Sequence, residues 1–313
     1  MDTVKVEIFG HGPKSLKIIS HAQNLGLTKS PVLIIGEPGV GKKSLARYIH
    51  EQSSRKNFNI VVVDCSQECK LVENAVLGYR DETQGKFIRG ALETANGGTV
   101  VFSNIDLVEE NFQKRLHNIL IELKDYDLDV RLIATTTKNL SKLVAAGRFQ
   151  RGLYTMFAAA TISLHTLKER REDIDFIAKY FCETLSKQMG KDGLFLNNES
   201  IAKLTQNNWN YNLTELKNVL EDTIMKMDKS EIEPLDLAIG ERKTFQKTED
   251  GSEEELHLMS LREAERLLIK KALIYTSENR TQAAKILGVS IRTLRNKINE
   301  YRNEGTNYFV NLR

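Results

Sequence analysis

Apolar runs alternate with amphipathic stretches along the first half of this 313-residue chain. The runs richest in apolar residues, as strands buried on both faces must be, lie at 32–36, 59–64, 98–103 and 129–135. Residues with helical spacing lie between these runs, for example at 43–52 and 112–124. Strands that alternate with helices predict an α/β fold with a parallel sheet.

Beyond about residue 166 the strand pattern ends and helical spacing takes over. The helical stretches are 167–189, 198–206 and 213–227. They predict a small all-helical subdomain, and a stretch without apolar period then predicts a polar linker. We therefore expect an α/β subdomain at 1–165, a helical subdomain at 166–239, a linker at 240–255 and a terminal helical domain at 256–313.

The composition is that of a globular protein, with 41% hydrophobic and 28% charged residues. No apolar run approaches the ~18 residues that span a membrane. The N-terminal residues also lack the basic start and apolar core that are typical of a signal peptide. The cysteines follow no disulfide or zinc spacing; they are Cys65, Cys69 and Cys182. These features predict a protein of the reducing cytoplasm, without a membrane partner.

Charge is distributed unevenly, although the formal net charge is only +3. Residues 256–313 contain 11 Lys and Arg but only 5 Asp and Glu. A basic terminal domain on a slightly acidic body indicates that the C-terminal end binds a polyanion.

The stretch GEPGVGK at 36–42 has the GxxxxGK spacing of a phosphate-binding loop between a predicted strand and a predicted helix. Its glycines let backbone N–H groups approach phosphates, and Lys42 can pair with the terminal ones. The next residue is Lys43, at the position where such loops carry the Ser or Thr that binds Mg²⁺. The sequence therefore leaves open whether this site binds a metal ion. The candidate residues for binding ATP or ADP are Gly36, Glu37, Pro38, Gly39, Val40, Gly41, Lys42, Lys43 and Ser44.

A helix-turn-helix pattern occupies 281–302. Gly288 ends the first helix, Ser290 is a good N-cap for the second, and Leu294 and Ile298 are spaced to face inward. The opposite face of the second helix then suits the major groove of double-stranded DNA. The candidate DNA-binding residues are Arg280, Ser290, Arg292, Thr293, Arg295, Asn296, Lys297 and Asn299, with Arg302 as a further phosphate contact. The alternative is a charged helix face that is merely solvated.

These segments, taken in order, resemble the AAA+ domain and Fis-type helix-turn-helix of sigma-54-dependent (NtrC-type) transcription activators. The matching stretches are 32–55, 61–65, 92–100, 129–135, 145–154, 167–174, 209–220 and 279–298. The resemblance implies an AAA+ P-loop domain with a helical lid, a DNA-binding end and a homodimer or larger oligomer. It also implies that the apolar stripe of helix 261–275 dimerises, in addition to packing within its own domain.

The positions that hydrolyse ATP in that family carry other residues here. The acidic pair of the Walker B motif aligns with Ser103 and Asn104. Loss of these groups is costly, since an arginine finger alone contributes a factor of ~10³–10⁵ to the rate of hydrolysis. The sensor I, arginine-finger and sensor II positions align with Thr137, Gln150, Met156 and Thr214, and Asp64 stands where the family has Asn. We therefore expect a pseudo-ATPase and assign no catalytic residue and no metal ligand.

The family's GAFTGA loop, which contacts sigma-54, has no counterpart between its anchoring stretches at 77–93. The second surface loop is also short, at 125–128. The resemblance therefore implies that this chain does not act on sigma-54 through that loop.

The leading hypothesis is a sequence-specific DNA-binding regulator with a nucleotide-binding AAA+ platform. One alternative is a working ATPase that uses the substitute residues Asp106, Asp64 and Arg151. Asp106 is a weak substitute if the strand continues to that residue. Each residue of a strand rises ~3.3 Å, so Asp106 would lie about 10 Å beyond Ser103. A second alternative is a cyclic-dinucleotide receptor that uses Lys168, Glu169, Arg170 and Asp173. A third is a scaffold whose P-loop is a relic.

Overall fold

The computed structural model describes residues 10–81, 85–239, 265, 268–269, 273, 276 and 280–303. The chain divides into two compact units, Met1–Gly251 and Ser252–Arg313. Among the described residues, none of the helices combines the length and apolar character that crossing a membrane requires.

The first unit is built on a parallel sheet. The strands of the unit are β1 Val32–Ile35, β2 Ile60–Asp64, β3 Gly78–Arg80, β4 Phe87–Arg89, β5 Thr99–Ser103, β6 Arg131–Thr136, β7 Thr161–Ser163, β8 Phe195–Leu196 and β9 Glu231–Ile232. Five of them form the sheet in the order β2-β5-β6-β1-β7, with every pair parallel. The predicted α/β fold and its four apolar strands are confirmed. The pattern missed β7, because Ile162 is its only buried residue and the run is too short to stand out.

Helices cover both faces of this sheet. They are α1 Pro13–Gly26, α2 Lys42–Glu51, α3 Cys69–Leu77, α4 Ala91–Thr94, α5 Glu110–Ile121, α6 Leu140–Ala145 and α7 Arg151–Phe157. One face buries a cluster that includes Leu33, Phe102 and Phe112, and the other buries a cluster that includes Ile34, Val101 and Ile133. The sheet is therefore apolar on both sides, which explains the continuous apolar runs in the sequence.

The helical subdomain contains α8 Ile174–Gln188, α9 Asn198–Gln206 and α10 Asn212–Lys226 around a separate core. The helical stretch expected at 167–189 is divided in the structure, because residues 167–173 form a 3₁₀ segment that kinks at Arg170 (φ −131°, ψ 50°) before α8 begins. The subdomain is also not entirely helical, since β8 and β9 pair in parallel over two residues each. That short pair closes the subdomain and carries no sequence period that could reveal it.

A small antiparallel hairpin lies within residues 77–93, the stretch in which the sequence analysis finds no counterpart of the family's surface loop. Strands β3 and β4 pair with Tyr79 opposite Ile88, and Gly78 opposite Arg89. Tyr79, Phe87 and Ile88 are all exposed on this hairpin.

The second unit contains α11 Arg280–Ile286 and α12 Ile291–Asn303. Gly288 between them has φ +66°, the left-handed backbone that a glycine adopts without strain. Leu294 and Ile298 are buried in the core of this unit, as predicted, together with Ile269 and Leu273. Most of the predicted helix 261–275 lies outside the described residues.

Candidate functional site

The loop between β1 and α2 has the backbone geometry of a phosphate cradle. Gly39 (φ +76°) and Gly41 (φ +102°) adopt left-handed conformations that side-chain-bearing residues rarely take. A Cβ on Gly36 would approach Val40 Cγ2 to 2.9 Å and Leu164 Cβ to 3.1 Å. Glycine is therefore required for this turn, which leads directly into the N-terminus of α2, the end of a helix that favours anions.

Lys42 begins α2 and its side chain folds back across the loop. Its ammonium group donates hydrogen bonds to the carbonyl oxygens of Gly36 and Glu37, each at 2.8 Å. Burial lowers the pKa of Lys42, and the charge of Lys43 acts in the same direction, whereas the negative charges of Asp106 and Glu37 oppose the shift. The ammonium is thus held close to where a phosphate would lie.

The helical subdomain is hydrogen-bonded to the same loop through the start of α10. Asn212, which is 1% exposed, donates from Nδ2 to the carbonyl of Pro38 at 3.0 Å and accepts at Oδ1 from the N–H of Leu167 at 2.7 Å. The N–H of Leu213 donates to the carbonyl of Gly39 at 3.0 Å. The loop conformation therefore depends on the start of α10. The sequence resemblance covered this stretch but did not single out Asn212; an Asn directly before an apolar helical run was its only signal.

Lys43 and Asp64 form a polar pair beside the loop. The Lys43 ammonium lies 3.4 Å from Asp64 Oδ2, and the two side chains are 55% and 34% exposed. Asp64 Oδ1 accepts from the N–H and hydroxyl of Ser66, at 3.1 and 2.8 Å, and from Asn104 Nδ2 at 3.4 Å. Burial raises the pKa of Asp64, but the Ser66 hydrogen bonds and the charge of Lys43 outweigh it and hold that pKa below its ordinary value.

The end of β5 carries Ser103 and Asn104, the residues that the family resemblance aligns with the acidic pair. Ser103 is buried, and Asn104 has φ +59°, so the chain turns sharply into a 3₁₀ segment at Ile105–Leu107. The extended geometry considered for Asp106 is therefore wrong. The turn brings its carboxylate back to the sheet, where Oδ1 accepts from the Thr136 hydroxyl at 2.7 Å and Oδ2 lies 3.4 Å from the Lys138 ammonium.

The donor groups around the loop do not suit Mg²⁺. This ion takes hard oxygen ligands, usually one or two carboxylates with substrate phosphates. Lys43 occupies the position of the usual hydroxyl, Ser103 is uncharged, and the Asp106 side chain is 2% exposed and already paired. Within the ranges given above, no three His, Cys, Asp or Glu side chains converge as metal ligands would.

The finger and sensor positions have structural roles or are exposed, and one of them, Thr214, lies beside the phosphate loop, where its Oγ1 would be 3.0 Å from a Cβ on Gly39. Gln150 caps α7 by accepting from the N–H of Leu153, and Met156 packs against the core of the α/β subdomain. Arg151, Thr137 and Thr214 are exposed. Of the substitute residues considered in the sequence, only Asp64 and Asp106 lie around the phosphate loop.

The four residues considered for a cyclic dinucleotide do not converge. Arg170 is 1% exposed and donates to the carbonyl of Val40 at 3.3 Å, and burial lowers its pKa. Asp173 is fully buried and accepts from the N–H groups of His11 and Gly12, at 2.9 and 2.6 Å. Lys168 and Glu169 are exposed instead. The buried pair anchors the start of α1 and is closed to a ligand.

The second helix of the terminal unit presents a polar face. Ser290 Oγ accepts from the N–H of Thr293 at 3.0 Å, so the predicted N-cap is confirmed. The exposed side chains of this helix include Arg292, Thr293, Arg295, Asn296 and Asn299. Lys297 differs from them, because its ammonium lies 2.9 Å from Glu265 and 3.5 Å from Glu300. Arg280 is half-buried, and the side chain of Arg302 lies outside the described residues.

Family models match three successive stretches of the chain. The Sigma-54 interaction domain matches residues 8–163, the AAA+ ATPase lid domain matches 168–254, and the Fis family of bacterial regulatory proteins matches 260–301. The predicted combination of an AAA+ P-loop fold, a helical lid and a Fis-type helix-turn-helix is thereby confirmed.

Relatives of known name share most of the chain. It is 29% identical to the sigma-54-dependent transcriptional activator SfnR of Pseudomonas putida, over 91% of this chain and 86% of SfnR. It is 31% identical to the alginate biosynthesis regulator AlgB of Pseudomonas syringae pv. tomato, over 93% of this chain and 66% of AlgB. The crystal structure of Brucella abortus NtrX with ADP has the same fold, with a TM-score of 0.67 at 24% identity over 95% of this chain and 69% of NtrX.

Proposed function

We propose that this chain, which combines a sigma-54 interaction domain, an AAA+ lid domain and a Fis-type helix-turn-helix, is a sequence-specific DNA-binding transcription regulator that binds nucleotide without hydrolysing it. The observation that carries the proposal is an intact phosphate loop beside an uncharged end of β5. The proposal includes the domain boundaries given by the sequence: an α/β subdomain that ends at residue 165, a lid that ends at 239, and a linker that ends at 255.

Nucleotide binding is supported by the loop itself. Its two left-handed glycines and the N-terminus of α2 offer backbone N–H groups to phosphates, and Lys42 adds a positive charge. The NtrX structures include complexes with ADP and with ATP. We assign residues 36–44 to ATP or ADP.

The absence of hydrolysis follows from the chemistry of phosphoryl transfer. Catalysis there requires charge stabilisation of the transferred phosphoryl group and an oriented attacking water. Ser103 and Asn104 cannot supply a carboxylate, and Gln150 and Met156 cannot supply a guanidinium. We infer that the domain acts as a nucleotide sensor or assembly platform.

A working ATPase is the second candidate, and the position of Asp106 is the observation that favours it. The turn at Asn104 returns the Asp106 carboxylate to within electrostatic reach of Lys42. Its pairing with Thr136 and Lys138 makes it a poor base or metal ligand, because both carboxylate oxygens already have partners. We therefore rank this candidate second.

DNA binding is assigned to the polar face of α12. Arg292, Thr293, Arg295, Asn296 and Asn299 are exposed side chains of the kinds that read base edges or phosphates. We assign Ser290, Arg280 and Lys297 to contacts with the sugar-phosphate backbone of DNA. Dimerisation through the preceding helix is supported by Leu268, which is 57% exposed although its neighbour Ile269 is buried.

We propose that this regulator does not act on sigma-54 through a GAFTGA loop. The described part of that region is the hairpin of Gly78–Arg80 and Phe87–Arg89, whose connection is too short for such a loop. Regulation would then follow from occupying the operator or from another partner. A cyclic-dinucleotide receptor is disfavoured because Arg170 and Asp173 are buried.

The test combines two measurements on one sample of the full chain: ATP binding by calorimetry, and phosphate release with Mg²⁺. Binding without release supports the proposal, and Lys42→Ala must then abolish binding. Phosphate release that Lys42→Ala eliminates would refute the pseudo-ATPase assignment and favour Asp106 chemistry. Absence of binding in both proteins would leave a DNA-binding scaffold with a relic P-loop.

A further inference from the structure

Lys43 places a second positive charge at the phosphate loop, one residue after Lys42. It lies in the first turn of α2, and its side chain is 55% exposed at the edge of the loop. Burial is the main cause of the lowered pKa of Lys42, and the charge of Lys43 lowers it further. Two lysine charges in successive residues at this loop favour a polyanion.

The existing partner of Lys43 does not satisfy it fully. Its distance to Asp64 Oδ2 is 3.4 Å, and both side chains are partly exposed, so this ion pair contributes little to stability. Asp64 has other partners in Ser66 and Asn104, which would hold its carboxylate if Lys43 turned away. Lys43 is therefore able to transfer from a single carboxylate to a phosphate group with higher charge.

The surroundings of Lys43 disfavour a divalent cation at the same place. In P-loop sites the hydroxyl that follows the loop lysine and an acid at the end of a neighbouring strand hold Mg²⁺. Here an ammonium takes the place of the hydroxyl, and Ser103 takes the place of the acid. A metal ion would meet the like charge of Lys43, and the carboxylate beside it, Asp64, is already paired with that ammonium and with Ser66.

We propose that the Lys43 ammonium substitutes for Mg²⁺, so that this site binds a nucleoside di- or triphosphate without a metal. The inference rests on the proposed nucleotide binding and specifies how that site neutralises the phosphates. Asp64 is a positioning residue: it holds Lys43 beside the loop until the phosphates arrive.

The experiment measures ATP and ADP affinity of the full chain by calorimetry, in excess Mg²⁺ and in excess EDTA. We expect equal affinities in the two buffers. Lys43→Ala should weaken metal-free ATP binding about 10- to 100-fold, the range for losing a charge-assisted hydrogen bond. Lys43→Arg should retain metal-free binding, because it keeps the charge.

Two further variants separate the role of Lys43 from general charge and from folding. Lys56→Ala removes an exposed lysine beyond the opposite end of α2 and should leave the affinity unchanged. The double variant Lys43→Thr with Ser103→Asp restores the metal ligands, so its ATP affinity should become dependent on Mg²⁺. Thermal unfolding of each variant reports whether it folds as the parent chain does.

The outcomes distinguish this inference from the proposed function. ATP binding that requires Mg²⁺ in the parent chain, with Lys43→Ala without effect, would overturn the role of Lys43 and leave nucleotide binding intact. Absence of ATP binding in both buffers, identical to Lys42→Ala, would overturn both. Equal affinities together with loss in Lys43→Ala would establish the built-in cation.

Discussion

The contact between Asn212 and the phosphate loop makes a prediction that can be worked out from the structure. Asn212 is 1% exposed, has φ +53°, and links the carbonyl of Pro38 to the N–H of Leu167. Replacing it with alanine removes both hydrogen bonds and leaves one buried partner, the N–H of Leu167, unsatisfied, whereas Pro38 is exposed. It also places an alanine in a left-handed conformation.

An unsatisfied buried N–H costs about 1–3 kcal/mol, so loss of the Leu167 contact reduces the free energy of unfolding by about that amount. The left-handed backbone adds about 1 kcal/mol for alanine, but not for glycine. Asn212→Ala should therefore be destabilised more than Asn212→Gly, by about that last amount. With a urea dependence of about 2–3 kcal/mol per molar, Asn212→Ala moves the unfolding midpoint by on the order of 1 M.

The single tryptophan gives a local probe for this experiment. Trp209 is 2% exposed, donates from Nε1 to the carbonyl of Leu204, and lies three residues before Asn212. Urea unfolding followed by its fluorescence should show the order parent, Asn212→Gly, Asn212→Ala. Equal destabilisation of the two variants would refute the backbone reasoning, and an unchanged midpoint in both would refute the hydrogen-bond reasoning.

Three further predictions concern other parts of the chain. Leu294→Ala leaves a cavity in the helix-turn-helix core and should lower the free energy of unfolding of that unit by about 2–4 kcal/mol, as measured by thermal unfolding. The same substitution should weaken DNA binding. Asp64 has a lowered pKa, so its stabilisation is complete above its unfolded pKa of about 3.9 and is lost as the pH falls through the folded value. Asp64→Asn should therefore destabilise at pH 7 and have less effect in acid, as measured by urea unfolding. Arg295→Ala should weaken operator binding by about 1–3 kcal/mol in a mobility-shift titration, and Lys297→Ala should weaken it less, because Glu265 already pairs with that ammonium.

The elements that the sequence predicted well are those whose signal is local. The phosphate loop lies between an apolar strand and an amphipathic helix, and all three occur in one continuous stretch. The same holds for the helix-turn-helix, where Gly288 and Ser290 mark the turn and the cap by residue type alone. Backbone conformation, capping and periodic burial act over a few residues, so the chain reveals them without its fold.

The features that the sequence missed depend on contacts between distant segments. Strand β7 is recognisable only through its pairing with β1. The return of Asp106 to the sheet depends on the left-handed turn at Asn104 and on Thr136 from a neighbouring strand. The burial of Arg170 and Asp173, which closes them to a ligand, likewise comes from packing against the start of α1.

By itself, then, the sequence determined the fold class, the phosphate loop, the helix-turn-helix and the uncharged residues at the end of β5. Only the tertiary structure decided that Asn212 holds the loop, that Lys43 pairs with Asp64 across 21 positions of sequence, and that Asp106 lies back against the sheet. The physical reason is that residue type and period encode local backbone geometry. The partner of a polar side chain depends instead on which distant segments the apolar core brings together.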